Sequence, residues 1–254
     1  MAGNVSRSCR RLFSSGKNRS QTMNNPTALR LHSALVVRSP FDASLLNRYR
    51  GQFGPIEATW TPTTVLMKEI DDGLQSDVVI VTDPAMEDLI ARGLVDATTR
   101  KPLVVSRIGF AVKQGAAKPD IADSQKLRQA LLSARSLCYS IGGASGIHFK
   151  TVLRRLGIEA QVDAKACPVP QGFTAEKLIT GEADMAVQQI SELLVVPGID
   201  IVGPLPGDLQ KATSFSIALF AAARDKPAGA ALIEMVTAPD TRAEYGRFGL
   251  DCRF

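Results

Sequence analysis

The residues of this sequence that could do chemistry on a small anion are neutral hydroxyls and amides, placed where apolar runs give way to helical patterns. The stretch "GGASGIHFKTVLRRLGI", residues 142–158, reads as a loop opening a helix. The free N–H groups of a first helical turn, at the positive end of the helix dipole, favour an anion. Ser145 adds a hydroxyl, while Gly142, Gly143 and Gly146 let the backbone approach a ligand closely. GxxxxGK[ST] is absent, so this is not a phosphate loop. The same setting recurs at Arg38 and Ser39 after "ALVV", at Thr61, Thr63 and Thr64 after "IEATW", and at Thr82 after "VVIV". It recurs again at Ser140 to Ser145 after "SLCY", and at Gln188, Gln189 and Ser191 after "ADMAV". Each place taken singly reads as an ordinary cap. Their repetition at the carboxyl ends of β-like runs points to one shared anion site.

Titratable groups near these places are few. His148 lies one turn into the helix start and Glu192 follows "QQIS", so these two would be the acid and base if the protein is an enzyme. A non-catalytic histidine and a solvated helix carboxylate are the plain alternatives. Arg38 and Arg107 could each engage a carboxylate with two parallel bonds, or serve structure alone. No GxSxG elbow is present. Cys9, Cys138, Cys167 and Cys252 have no CxxC or metal-ligand spacing and read as free thiols. With only His32 and His148 besides, neither a metal nor a cofactor is expected.

The elements that must position these residues follow from periodicity. "ALRLHSALVV", "IEATW" and "SDVVIVT" read as strands. "SPFDASLLNRYRGQFG", "TPTTVLMKEIDDGL" and "DPAMEDLIARGLV" read as the intervening helices, with Thr caps on the second and Asp83 capping the third. The grammar repeats through "RIGFAV", "ADSQKLRQALLSA", "SLCYSI", the helix above, "ADMAVQQI" and "SFSIALFAAA", and closes with a helical hairpin in "PAGAALIEMVTAPDTRAEYGRFGL". Strands alternating with helices predict an α/β fold with parallel units.

Over 254 residues the net charge is +5, but Arg7, Arg10, Arg11, Lys17 and Arg19 supply all of it before residue 25, without one acidic residue. The body is near neutral, so no nucleic-acid surface is expected. No apolar run is long enough to span a membrane. Residues 1–27 read as a disordered or processed tail. With no secretory h-region, the chain as it stands is expected to be cytoplasmic, or organellar if the Arg/Ser-rich start is a presequence.

Four stretches, "TPTTVLMKEIDDGLQSDVVIVTDPAMEDLIARGLVD", "RIGFAVKQGA", "GGASGIHFKTVLRRLGI" and "LITGEADMAVQQISEL", resemble the type II periplasmic solute-binding proteins, in the branch that includes molybdate-binding proteins. Some relatives in this branch resemble aconitate isomerase, which moves a proton within a tricarboxylate and needs no cofactor. The resemblance implies two α/β lobes, each with a mostly parallel sheet, closing on a ligand between them. Residues 28–110 plus 215–254 would form lobe I and residues 111–214 lobe II, with "RIGFAV" and "SFSIALFAA" crossing. It implies oxyanion-gripping hydroxyls at Ser39 and Thr61 to Thr64, and backbone N–H donors around Ser145, Gly146 and Ile147. Gln189 stands where molybdate binders carry a cleft tyrosine, Thr61-Pro62-Thr63-Thr64 replaces their Ser-Ser-Gly, and Arg38 is an added cation. These departures favour an organic di- or tricarboxylate at least as much as a tetrahedral oxyanion. Expected partners are that small anion and, if the protein is exported, an ABC permease, with the protein acting as a monomer; isomerase and cytosolic anion sensor stand as the other readings.

Overall fold

A computed structural model describes residues 1–3 and 27–254, so the tail expected over residues 1–27 lies almost wholly outside the described residues. From Leu29 the chain forms β1 (Leu29–Ser33), the short helical turn α1 (Arg38–Pro40), α2 (Leu46–Phe53), β2 (Ile56–Trp60), α3 (Thr63–Asp71), β3 (Val78–Thr82) and α4 (Asp83–Ala91). It continues through β4 (Lys101–Ser106), β5 (Ile108–Lys113), α5 (Ser124–Ser133), β6 (Leu137–Tyr139), α6 (Ala144–Arg155), α7 (Glu159–Asp163) and α8 (Glu176–Ile179). The last elements are β7 (Met185–Gln189), α9 (Ile190–Leu193), β8 (Ile199–Pro204), β9 (Thr213–Leu219), α10 (Lys226–Val236), α11 (Arg242–Gly246) and β10 (Asp251–Cys252).

Two sheets result, ordered β10-β4-β9-β3-β1-β2 and β6-β7-β5-β8. They are mixed, which corrects the expectation of mostly parallel sheets. β1 runs parallel to β2 and β3, and β6 to β7, whereas β9 runs antiparallel to both β3 and β4, and β5 antiparallel to β7 and β8. The reversal arises because the chain passes between the sheets without a helical crossover. β4 leaves the first sheet at Ser106, and Ile108 already pairs with Gln189 in the second. Thus "RIGFAV" lies in the second sheet apart from Arg107, residues 108–110 included, and the passage is Arg107 itself. The return falls between β8 and β9, with Thr213 and Ser214 already in the first sheet.

The first strand is shorter than its apolar run. Ladder pairing ends at Ser33, and Leu35–Val37 coil into a 3-10 turn that continues into α1. A short apolar run does not distinguish a strand from a buried helical turn. Arg38 and Ser39 therefore sit on a helical segment, not at a strand exit. Likewise Thr82, not Asp83, is the N-cap of α4, and neither it nor Pro62 before α3 makes a side-chain cap bond.

Each lobe has its own core, around Leu31, Phe41, Tyr49 and Ile217 in the first and Phe110, Phe149, Leu153 and Val187 in the second. A third cluster spans both. Leu35 of the first lobe, 6% exposed, packs with Phe173, Leu178 and Leu193 of the second, and Trp60 lies against the same cluster. Burying a leucine is worth roughly 1.5–3 kcal/mol, enough to seat the lobes against one another rather than leave them tethered only by their connections.

Candidate functional site

Among the described residues, three side-chain hydrogen bonds cross from lobe to lobe. Thr64 Oγ1 donates to the Gly142 carbonyl at 2.6 Å, Ser39 Oγ donates to the Ser191 carbonyl at 3.1 Å, and Gln189 Nε2 donates to Thr213 Oγ1 at 3.3 Å. All involve positions singled out above as polar exits or their immediate neighbours. The strand ends of both sheets therefore meet along one seam, as a ligand site at the carboxyl ends of strands requires.

A cavity of about 360 Å³ lies in this seam, lined by Thr82, Asp83, Pro84, Ala144, Lys211, Ala212, Thr213 and Ser214. That size falls within the roughly 300–1,000 Å³ common for small-molecule sites. Asp83 is not free for a ligand: its carboxylate accepts from Ser216 Oγ at 2.6 Å and from Arg253 Nη1 at 2.7 Å. Lys211, which is exposed, is the cation on the lining. The hydroxyls of Thr82, Thr213 and Ser214 stand with it, and Ala144 brings the start of α6 from the opposite lobe.

The start of α6 has the donor character its glycines imply, although the glycines act differently. Gly143 is the N-cap, without a side-chain cap bond. The first intrahelical bond runs from the Ile147 N–H to the Gly143 carbonyl at 3.1 Å, so the N–H groups of Ala144, Ser145 and Gly146 precede the ladder. Ile147 is thereby corrected: its N–H is used within the helix and its side chain is exposed. Gly146 packs against protein. A Cβ there would lie 1.5 Å from the Ser140 carbonyl oxygen, so α6 approaches β6 more closely than any side chain allows. Gly146→Ala is expected to push α6 off the strand end and lower stability by about 1–3 kcal/mol, read from the urea midpoint. An unchanged midpoint would mean that the turn absorbs the methyl elsewhere.

Buried side-chain atoms with no hydrogen-bond partner among the described residues mark the same seam. Besides Arg30 Nε they are Thr61 Oγ1, Ser106 Oγ, Gln189 Oε1 and Ser191 Oγ. Thr61 follows β2, Ser106 ends β4, Gln189 ends β7 and Ser191 lies on α9, which packs against Leu35–Val37 and α1 of the first lobe. Each unpaired group costs roughly 1–3 kcal/mol of desolvation, and a bound polar ligand or ordered water would recover that cost.

Other candidates have structural partners. Gln188 is fully engaged: Oε1 accepts from the Thr174 N–H at 2.9 Å and Oγ1 at 3.1 Å, and Nε2 donates to the Gly172 carbonyl at 2.9 Å. A ring nitrogen of His148 lies 2.8 Å from the Leu209 carbonyl, fastening α6 to the segment that leads into β9. Arg107, half-exposed, pairs with Asp251 at 2.7 Å. Arg38 pairs with Asp42 at 3.0 Å, lies over the Phe173 ring, and lines a different cavity with Phe173 and Glu176, away from Thr82 and Lys211. Thr63, half-buried, opens α3 beside the Thr64–Gly142 bond, and Ser145 is buried in the first turn of α6.

Glu192 is the site candidate with the most perturbed carboxyl. It is buried at 9% exposure on α9, next to the residue whose carbonyl holds Ser39. Burial pushes its carboxyl up to about 8, although the Gln188 side chain and the Gln189 backbone pull the other way. At neutral pH it is largely protonated, a proton donor at the junction of the lobes.

Lys211, Thr213, Ser214 and Ser106 escaped the sequence reading. For the first three the available signal was "QKATSF", a lysine and three hydroxyl-bearing or small residues at the start of an apolar strand; Ser106 ends "KPLVVS".

Comparison with known proteins agrees with this architecture. The model of the family described as bacterial extracellular solute-binding protein matches residues 48–251. An aconitate isomerase of a Pseudomonas species is 37% identical over 176 residues, covering 69% of this chain and 67% of that protein. Among solved structures, the periplasmic molybdate-binding protein of Azotobacter vinelandii aligns with a TM-score of 0.71 at 16% identity, over 87% of this chain and 98% of that one. The sulfate-binding protein of Mycobacterium tuberculosis aligns with a TM-score of 0.66 at 14% identity, over 89% of this chain and 86% of that one. At such identities these structures speak for the two-lobed binding-protein fold alone. The matched family is named as extracellular, which counts against the expected cytoplasmic placement. Among the described residues no helix is long and apolar enough to cross a membrane. By its family match and its two-lobed fold, the chain belongs to the bacterial extracellular solute-binding proteins.

Proposed function

We propose that the seam between the lobes captures a small organic polycarboxylate by lobe closure. The observation that carries this reading is the chemistry around the cavity: the Lys211 ammonium, the hydroxyls of Thr82, Thr213 and Ser214, and the uncapped start of α6 at Ala144. A tetrahedral oxyanion would fill only a small part of about 360 Å³, whereas a tricarboxylate can reach the cation and the helix start together. Delivery to a membrane permease, with the protein working as a monomer, is the role that fits simple capture.

Calorimetric titration with citrate, cis-aconitate, trans-aconitate, sulfate and molybdate tests it. Lys211→Met is expected to weaken tricarboxylate binding roughly 10- to 100-fold, the worth of one charge-assisted bond. Undiminished affinity in that variant, or tighter binding of molybdate than of any carboxylate, would remove the reading.

A second reading, isomerisation of aconitate between its cis and trans forms, is favoured by the curated relative and by Glu192. A proton would leave the methylene carbon of trans-aconitate, and its electron pair would delocalise over the allylic carbons into a carboxylate held by cationic and N–H donors. A proton returned to the far allylic carbon completes the shift, so the double bond moves and no atom is gained or lost. Glu192 is the proposed proton carrier: its ionised form takes the methylene proton, and the acid so formed returns it to the far carbon. Proton NMR in deuterium oxide reads both events, as growth of cis-aconitate signals and as deuterium at the exchanged carbon. Glu192→Gln is expected to slow turnover at least 100-fold. Absence of cis-aconitate at stoichiometric protein would leave capture alone standing.

A further inference from the structure

Away from the cavity, two cysteines are brought side by side by a strip of chain that has no strand of its own. Ala166 pairs with Leu137 and Val169 with Ser140 in isolated parallel bridges. The Cys167 N–H donates to the Leu137 carbonyl at 2.9 Å, the Val169 N–H to the Tyr139 carbonyl at 3.0 Å, and the Ile141 N–H to the Val169 carbonyl at 2.8 Å. Residues 166–169 thus run beside β6 as an edge strip, in a register that sets Cys167 opposite Cys138. Neighbouring strands lie about 4.7–4.9 Å apart, inside the 4.4–6.8 Å span between Cα atoms that a disulfide bridges. Because residues opposite one another in a ladder point to the same face, both thiols emerge together. They share one apolar cluster, Cys138 fully buried and Cys167 at its edge, where its Sγ lies 3.7 Å from the Leu137 carbonyl and 3.8 Å from that of Glu182.

We propose that Cys138 and Cys167 are a reversible disulfide site that staples the edge strip to β6. The order of attack follows from accessibility. Burial pushes the Cys138 thiol up to about 12, with the adjacent Cys167 raising it further and the Lys177 ammonium drawing it down. Cys167, half-buried, is therefore the residue that meets an external oxidant first. Its thiolate attacks one sulfur of a small-molecule disulfide, forming a mixed disulfide and expelling one thiolate. Cys138 then attacks Cys167 Sγ and expels the second thiolate. Both protein thiols are oxidised, the external disulfide is reduced to two thiols, and the two protons go to the departing thiolates. An extracellular family meets such oxidants, and cytosolic reductants would keep the pair open.

The bond has a defined mechanical consequence. β6 leads into the turn at residues 140–143, where Thr64 of the other lobe holds the Gly142 carbonyl, and the strip flanks that turn through the Ile141 N–H donated to the Val169 carbonyl. The Pro170 carbonyl, next along the strip, backs the same glycine. Oxidation would fix the support of that turn without touching the cavity.

The test uses the full chain, incubated natively with oxidised glutathione, quenched in acid, alkylated with iodoacetamide in denaturant and mapped by peptide mass spectrometry. The expected product is a linked peptide pair carrying Cys138 and Cys167, lost after dithiothreitol, with Cys252 remaining outside the bond. In Cys138→Ser, Cys167 should stop at the mixed disulfide with glutathione. In Cys167→Ser, whose change lies at the cluster edge and spares the buried position, Cys138 should remain alkylatable. Alkylation of both cysteines in the oxidised wild type overturns the proposal. So does a wild-type Cys167 that stays glutathionylated while Cys138 stays free, since that would place Cys138 out of reach.

Discussion

At pH 8 the Glu192→Gln variant is expected to melt on the order of 10 °C above the wild type, and at pH 4 the two are expected to melt together. The carboxyl has an ordinary value of 4.5 and is held at about 8 in the folded protein by burial. The native state therefore keeps a proton that the unfolded chain releases. Below pH 4.5 both states are protonated and the full stability is present. As the pH rises from 4.5 towards 8, stability falls by about 1.36 kcal/mol per pH unit, a total on the order of 3–5 kcal/mol. Above 8 both states are ionised and the loss levels off. Glutamine has the shape of the protonated form and no charge to bury, so its stability should not follow this slope. Thermal melts of both proteins across that range decide the matter; parallel curves would show that Glu192 is ionised in the native state. If isomerisation is the activity, this same variant is the inactive one. Strain held in a buried acid and lost function on its removal then share one cause.

The second large effect lies far from the seam. Asp77, fully buried just before β3, accepts from the backbone N–H groups of Arg30 and Arg224, each at 2.8 Å, and from Arg224 Nη2 at 3.0 Å. It ties β1 and β3 to the turn that follows β9. Burial alone would raise its carboxyl, but the Arg224 side chain and the two backbone N–H groups outweigh that and hold it at about 2, against an ordinary 3.8. Because the folded value is depressed, its contribution is fully present above 3.8 and is lost as the pH falls towards 2. The loss amounts to about 2–3 kcal/mol. Asp77→Ala, which takes the acceptor from two backbone N–H groups and the Arg224 guanidinium, is expected to cost about 3 kcal/mol at pH 7 and to flatten the acid limb of the stability curve. Chemical denaturation at pH 7 and pH 3 measures both; an acid limb as steep as wild type would assign acid unfolding to other carboxylates.

Much of the scaffold was legible from periodicity. "SDVVIVT" is a strand over Val78–Thr82, "TTVLMKEID" a helix over Thr63–Asp71, and Gly143 a helix start, as their patterns imply. β4, β8 and β10 were not legible. "KPLVVS", "IDIVGP" and "DC" are short, carry prolines or charges, and become strands only because β9, β5 and β4 offer them open edges. In the same way the π turn at Phe41–Leu45, directly after Pro40, follows no local signal we can name.

The site divides along the same line. Ser39, Thr64, Thr82, Ser145 and Gln189 could be placed at the seam because they follow or end β-like runs, and ligands gather where parallel strands end. That rule passes over Lys211, Thr213 and Ser214, which precede a strand. β9 is antiparallel to β3 and β4, with Thr82 opposite Phe215 and Ser106 opposite Thr213, so its amino end lies beside their carboxyl ends. Sequence alone determined the hydrogen-bonding character of the residues at each chain reversal. Which of those groups face a ligand, and which, like Gln188 and His148, are consumed by the protein, was decided only by tertiary structure. A donor's availability depends on what else lies within about 3 Å of it, and that is set by strand direction and lobe packing rather than by its neighbours in the chain.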